Sequence, residues 1–324
     1  MNTIPTTFNE SKTSYTAVGG TVRNGDSGLS AIILNRGGRY LRRSVFKECE
    51  KAAFDYVISV EGPRESYDVE ELSIRFPFVK FLLLKEKITL GEEINLAVSE
   101  LKSPLFFILW NDTRLLQSGG VHRIAERLFS NSPSAASERL CTVPTLQNSR
   151  FETLPSLIAP AFFRNSLKTI PFSPVKEGLP TLYPFDGIGI YDREKFIRLG
   201  GFDETIKAPY WQMMDFGFRA HLWGEEIRST QLIKVVFDAE LPPQDVTNAP
   251  GYKRFYLKNL LPVFRGDSAY IPFRRFPSYL FRSGESPMAA WEDFTEARTW
   301  VQTNRFRFHC DARKVTELWE PVEP

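Results

Sequence analysis

Cysteine is scarce in this chain. Cys49, Cys141 and Cys310 are odd in number and far apart, so neither a disulfide framework nor a zinc cluster is indicated, and a reducing compartment fits. Histidine is equally scarce: His122, His221 and His309 fall at no metal-ligand spacing. Long hydrophobic runs are missing too, since stretches such as Phe106 to Trp110 fall far short of the ~20 residues a membrane span needs. The first thirty residues lack a basic start and an apolar run, so no secretory leader is expected. An excess of either charge is also lacking, with 41 Lys+Arg against 39 Asp+Glu. The resulting net charge of +2 supplies no field for gripping nucleic acid. G-x-G-x-x-G, Walker and G-x-S-x-G motifs are absent, as are internal repeats and low-complexity tracts.

What is present is an ordinary globular composition over 324 residues, with phenylalanine over-used at 27 positions. Length and composition fit a large α/β unit with an extension. Residues 1–28 form a polar lead rich in Thr, Ser, Asn and Gly. Apolar runs then alternate with helical patterns: strands at 31–34, 56–60, 79–84, 105–109 and 187–191, helices at 40–53, 91–101, 193–199 and 211–223. That order predicts a Rossmann-like, mostly parallel sheet with helices on both faces over residues 29–240. Residues 130–184 are polar and Pro-punctuated, with one strand expected at 156–161. Residues 241–324 form an aromatic and Pro-rich C-terminal extension holding two helical patterns, 288–301 and 311–319.

In an open α/β sheet, ligands bind outside the carboxyl ends of the strands, which brings Asn35, Glu61 and Asp112 to one crevice. A strand-end carboxylate facing a phosphate can hold Mg²⁺ or Mn²⁺, whereas Asn111-Asp112-Thr113 is also good turn chemistry. Gln212, Asp215 and Arg219 share a helix face, where Asp215 and Arg219 either pair or present a base to the crevice. His309 could join an oxygen-rich metal site only if the C-terminal segment folds back over it. The cluster of Arg274, Arg275, Phe276, Tyr279, Phe281 and Arg282 is read as aromatic packing, with peripheral membrane contact as the alternative.

Taken in order, four pieces resemble the family 2 glycosyltransferases with the GT-A fold, in particular the rhamnosyltransferase-like branch. They are Ile32-Ile33-Leu34-Asn35-Arg36; Gly91 with Asn95 and Ala97, leading to Trp110-Asn111-Asp112-Thr113; Gly200-Gly201-Phe202-Asp203-Glu204; and Asp215, Arg219 and Gly224 at the spacing D-x-x-x-R-x-x-x-x-G. The resemblance implies a cytoplasmic enzyme of polysaccharide biosynthesis. Its donor is a nucleoside-diphosphate sugar, its acceptor a hydroxyl on a glycan, lipid or protein, and transfer inverts the anomeric centre. It assigns Asp112 to a divalent metal, with His309 added as a ligand on the condition stated above, and Asn35, Arg36, Glu61, Asn95 and Asn111 to the nucleotide sugar. Asp215 takes the place of the base, with Asp203 and Glu204 in reserve. The chain departs from the family pattern at Trp110-Asn111-Asp112, which keeps only the last acid of the metal motif, and at Gln212-Met213, which replaces an expected Glu-Asp pair. Those departures leave a second reading, a non-catalytic GT-A-like domain that binds nucleotide sugar or glycan or partners an active transferase.

Overall fold

The computed structural model describes Phe8 and residues 13–36, 41–63, 68–130, 139–163, 166–238 and 250–319. Its strands are β1 (Tyr15–Gly19), β2 (Leu29–Leu34), β3 (Val57–Glu61), β4 (Val79–Leu84), β5 (Leu105–Trp110), β6 (Thr113–Leu115), β7 (Arg139–Gln147), β8 (Leu157–Phe163), β9 (Ser166–Phe172), β10 (Gly189–Asp192) and β11 (Glu226–Phe237). Its helices are α1 (Leu41–Lys51), α2 (Val69–Arg75), α3 (Leu90–Ser99), α4 (Val121–Ser130), α5 (Arg193–Leu199), α6 (Pro209–Leu222), α7 (Pro250–Phe255), α8 (Phe276–Ser283), α9 (Pro287–Thr303) and α10 (Ala312–Glu317).

Nine strands form one sheet in the order β1-β4-β3-β2-β5-β10-β7-β11-β6. β2, β3, β4, β5, β7 and β11 point the same way, and β1, β10 and β6 run against them, so the sheet is mostly parallel by strand direction. Every residue of β2 and β3 is buried, because helices cover both faces of the central strands. The polar lead contributes more than its composition suggests: β1 pairs antiparallel with β4 from Tyr15↔Leu84 to Gly19↔Lys80. The stretch that was hardest to read supplies β7, which is inserted between β10 and β11.

The motifs in the second half of the chain hold this framework together. Gly200 caps α5 in the left-handed region at φ 92°. Gly201 follows at φ 62°, where an added Cβ would lie 2.3 Å from Asn95 Oδ1. Asn95 uses both ends of its amide on the next residue, accepting from Phe202 N at 2.9 Å and donating to Phe202 O at 2.8 Å. Arg219, reaching across from α6, donates to Leu199 O at 2.6 Å and Gly201 O at 2.7 Å. The G-G-F run is therefore a clamp between α3, α5 and α6.

His221, near the end of α6, donates from Nε2 to Thr181 O at 3.0 Å, and its ring lies edge-on to Trp319. Since Thr181 O can only accept, Nε2 carries the hydrogen. Burial pushes the imidazole down to about 4 from its ordinary 6.5, against the raising effect of that bond. A depressed histidine stabilises the fold above the unfolded value and loses that contribution as pH falls from about 6.5 toward 4. Asp186 works in the opposite direction, because burial raises its carboxyl to about 6. Comparison with His221→Gln, which keeps a donor for Thr181, isolates the histidine. Between pH 7 and pH 4.5 the variant should lose about 2 kcal/mol less stability in urea titrations than the parent; parallel pH profiles would remove the argument.

Candidate functional site

The carboxyl ends of β2, β3 and β5 lie side by side, and the residues that follow them interlock. Asn35 donates from Nδ2 to Val60 O at 2.6 Å, which ties the end of β2 to β3. Glu61, the last residue of β3, is fully buried and accepts from Ser59 Oγ at 2.6 Å. The backbone N of Arg36 donates to Asn111 Oδ1 at 3.0 Å, joining β2 to β5. These strand ends open on a cleft of about 770 Å³ whose lining includes Asn35, Arg36, Lys87, Thr89, Trp110 and Lys207.

Arg36 is the centre of charge there. Its Nε donates to Asp112 Oδ2 at 2.8 Å and its Nη1 to Asp186 Oδ2 at 2.5 Å, while the guanidinium carbon sits 4.2 Å above the Trp110 ring. Trp110 in turn donates its indole N–H to Asp186 O at 2.9 Å. Asp186 occupies the left-handed region at φ 57°, ψ 21°, in the turn just before β10, and Gly187 follows at φ 72°. Burial lifts its carboxyl to about 6 although Arg36 opposes the shift and Asp112 adds to it. Two buried donor and acceptor atoms of this group, Arg36 Nη2 and Asp112 Oδ1, have no partner among the described residues.

The sequence-derived site residues divide into two sets. Asn35 and Arg36 line the cleft, and Glu61, Asn111 and Asp112 are buried at the same strand ends behind them. Asp215, Asp203, Asn95 and His309 do not join them. Asp215 is fully buried and accepts from Arg219 at 3.0 Å, Asn259 at 2.8 Å and Lys258 at 3.1 Å, so it faces the segment after α7. Asp203 accepts from Lys258 at 2.6 Å and from Thr205 N and Oγ1. Burial disfavours its charge, yet the Lys258 and Arg254 cations outweigh that and hold the carboxyl far below the usual range. Neither acid is presented to an acceptor, and their role as bases is corrected to a structural one. Glu204, beside them, is half-buried and also has a partner. Asn95 is consumed by the Phe202 clamp. Gln212 likewise ties α6 to α3, accepting from Gly91 N at 3.0 Å and donating to Thr89 Oγ1 at 2.9 Å.

His309 is corrected as well. It is exposed, follows a 3₁₀ turn (Arg305–Arg307) where a strand was expected, and donates its backbone N–H to Leu222 O at 2.8 Å. There it lines a cavity with Pro104, which precedes β5, whereas Asp112 follows β5, so the length of the strand separates the two. Among the described residues no group of three or more His, Cys, Asp or Glu could hold a metal ion. Asp112 and Asp186, the acids nearest the expected position, already share one guanidinium. As arranged, the residues do not fit a divalent ion, which asks for several open oxygen ligands.

Sequence reasoning missed Asp186, Trp110 and Lys258. Asp-Gly at 186–187 carries only a turn signal, and nothing in the pattern marks Lys258. The aromatic-basic stretch divides: Phe276 and Tyr279 pack on Phe294 at 5.3 and 6.3 Å, whereas Phe281 is 88% exposed. None of the described helices is long and apolar enough to cross a membrane.

The architecture aligns with the solved structure of GalNAc-T7 with UDP, GalNAc and Mn²⁺ at a TM-score of 0.59 and 14% identity, over 90% of this chain. The chain has the GT-A fold. It spans 57% of the GalNAc-T7 chain. TarS 1-349 from S. aureus aligns over 85% of this chain and 73% of its own, with a TM-score of 0.48 and 13% identity. The mannosyltransferase PcManGT from Pyrobaculum calidifontis, in complex with GDP-Man and Mn²⁺, aligns over 91% and 74% with a TM-score of 0.44 and 11% identity. No family model matches the sequence, and no curated protein does. At these identities the likeness concerns the GT-A framework, and the cleft must be read from its own residues.

Proposed function

We propose that the chain is a glycosyltransferase that binds a nucleoside-diphosphate sugar in the cleft at the ends of β2, β3 and β5 and moves the sugar to a hydroxyl acceptor with inversion. The observation that carries this reading is the convergence of Asn35, Arg36, Glu61, Asn111 and Asp112 at the carboxyl edge of a GT-A sheet, where such folds bind their ligands. In this reading the nucleoside lies against Asn35, with Glu61 buried behind the same strand ends, and the diphosphate meets Arg36. The family 2 assignment, and an acceptor that is a glycan, lipid or protein, belong to this reading.

An inverting transfer needs a base on the acceptor side. Met213 stands where the family carries its acid, and Met213 cannot take a proton. Gly187 comes close to it, since a Cβ there would lie 3.5 Å from Met213 Cε, and in this reading the preceding Asp186 serves as the base. With a carboxyl raised to about 6, Asp186 is mostly ionised at neutral pH yet basic enough to accept the hydroxyl proton as attack proceeds. Activity should rise with pH through about 6. Asp186→Asn should abolish that limb and lower kcat by about two orders of magnitude or more, with donor affinity changing far less. An unchanged kcat in the variant would dismiss Asp186.

One observation favours the non-catalytic reading instead: the motif acids Asp203 and Asp215 are both consumed by buried cations. Titration calorimetry with UDP- and GDP-sugars, followed by assays for release of nucleoside diphosphate with mixed glycan acceptors, separates the two. Binding without any release would make the chain a nucleotide-sugar-binding module.

A further inference from the structure

The contacts of Arg36 bear on how the cleft handles phosphate, and the inference rests on the nucleotide-sugar reading above. A GT-A cleft must offset the charge of a leaving diphosphate. The acid that would hold a divalent ion for this purpose, Asp112, is already engaged by Arg36 Nε at 2.8 Å. The same guanidinium takes Asp186, the second acid within reach, through Nη1. Its plane is fixed from a third side by Trp110, and that ring is itself held through its N–H by Asp186 O. The side chain cannot swing off one carboxylate without giving up a bond in this closed set. Nη2 has no acceptor among the described residues and is buried within this set, while the side chain as a whole is 22% exposed and lines the cleft.

We propose that Arg36 takes the place of a divalent cation in this protein: its guanidinium, seated on Asp112 and lining the cleft, supplies the positive charge to the diphosphate, and nucleotide binding is independent of divalent ions. Asp112 then acts as the positioning residue for Arg36, while Asp186, the base of the reading above, touches the same guanidinium through one oxygen, a contact that Asp186→Asn keeps through its amide oxygen. A guanidinium is suited to this because its planar donors match phosphate oxygens in pairs, and because its charge persists at every pH the protein meets. Lys87 and Lys207 line the same cleft with Glu86, Glu92 and Glu93, and Lys207 lies 3.9 Å from Glu92.

The test uses the full chain, UDP and GDP as probes, and calorimetry in EDTA and in Mn²⁺. The expected result is a wild-type affinity that agrees within about twofold between the two conditions, together with a loss of about tenfold or more in EDTA for Arg36→Met and a smaller loss for Arg36→Lys. Electron paramagnetic resonance of added Mn²⁺ supplies a second readout without nucleotide. The wild type should leave the free-ion signal unchanged, while Arg36→Met, which frees Asp112 and Asp186, should reduce it, and Asp112→Asn in that background should restore it. Circular dichroism and thermal melts show whether each variant is folded, and the wild-type comparison needs no variant. Nucleotide binding that requires Mn²⁺ and is lost in Asp112→Asn would overturn the proposal while leaving the nucleotide site in place. If neither nucleotide binds in either condition, the nucleotide-sugar reading itself falls, and this proposal with it.

Discussion

Asp215→Asn should unfold the protein more readily instead of merely slowing a reaction. The carboxylate is fully buried and balances Arg219 and Lys258, two cations that are each about 3% exposed at the side chain, while Asp203 shares Lys258. Removing its charge leaves two buried cations facing one carboxylate in a space closed to water. Breaking a buried pair from one side typically costs about 3–5 kcal/mol, a third or more of the stability of many domains. This exceeds the few tenths of a kcal/mol of an exposed i, i+4 pair, because no solvent replaces the lost partner. The urea midpoint should fall accordingly. The double change Asp215→Asn with Lys258→Met should recover part of the loss, since it removes a positive charge along with the negative one. A midpoint that does not move would return Asp215 to the candidates for chemistry.

Gly217→Ala should be the other large effect, although helix propensity favours alanine by about 1 kcal/mol. Gly217 lies in α6, and a Cβ there would be 2.2 Å from Leu182 O and 2.8 Å from Tyr183 Cβ. The opposing segment cannot retreat: Thr181 N is bonded to Ile227 O at 3.0 Å and Leu182 N to Ile158 O at 2.8 Å. Overpacking against pinned backbone should outweigh the propensity gain and leave a net loss of about 2–3 kcal/mol. Gly119 is a control, since a Cβ there meets nothing within 4 Å. A Gly217→Ala protein as stable as the parent would show that the 181–183 segment yields.

The buried core around α6 accounts for the over-use of phenylalanine. Phe196, Phe202 and Phe216 stack and cross at 4.6 to 5.8 Å between α5, the G-G-F clamp and α6. Aromatic composition reported packing; among the described residues Trp110 lines the cleft beneath Arg36, whose guanidinium also lies 5.6 Å from the centre of the Phe237 ring.

Sequence alone determined the alternating β/α order, the strand ends at Asn35, Glu61 and Asp112, and the resemblance to GT-A enzymes. These rest on local signals: continuous apolar runs for strands covered on both faces, turn residues after them, and glycines where φ is positive. β1 and β7 escaped notice because edge pairing and insertion between distant strands leave no local period, and their partners lie up to 89 residues away in the chain, as in Val236↔Gln147. Only the tertiary structure separated the acids that Lys258 holds inside the fold from those that Arg36 holds beside the cleft. Asp203 and Asp215 look catalytic in the motif, but Lys258, more than forty residues downstream, neutralises both. Asp186 looks like a turn residue, but 150 residues separate it from the Arg36 that makes it part of the cleft. A carboxylate's role is set by the charges and burial around it, and those neighbours come from remote segments that no spacing rule connects.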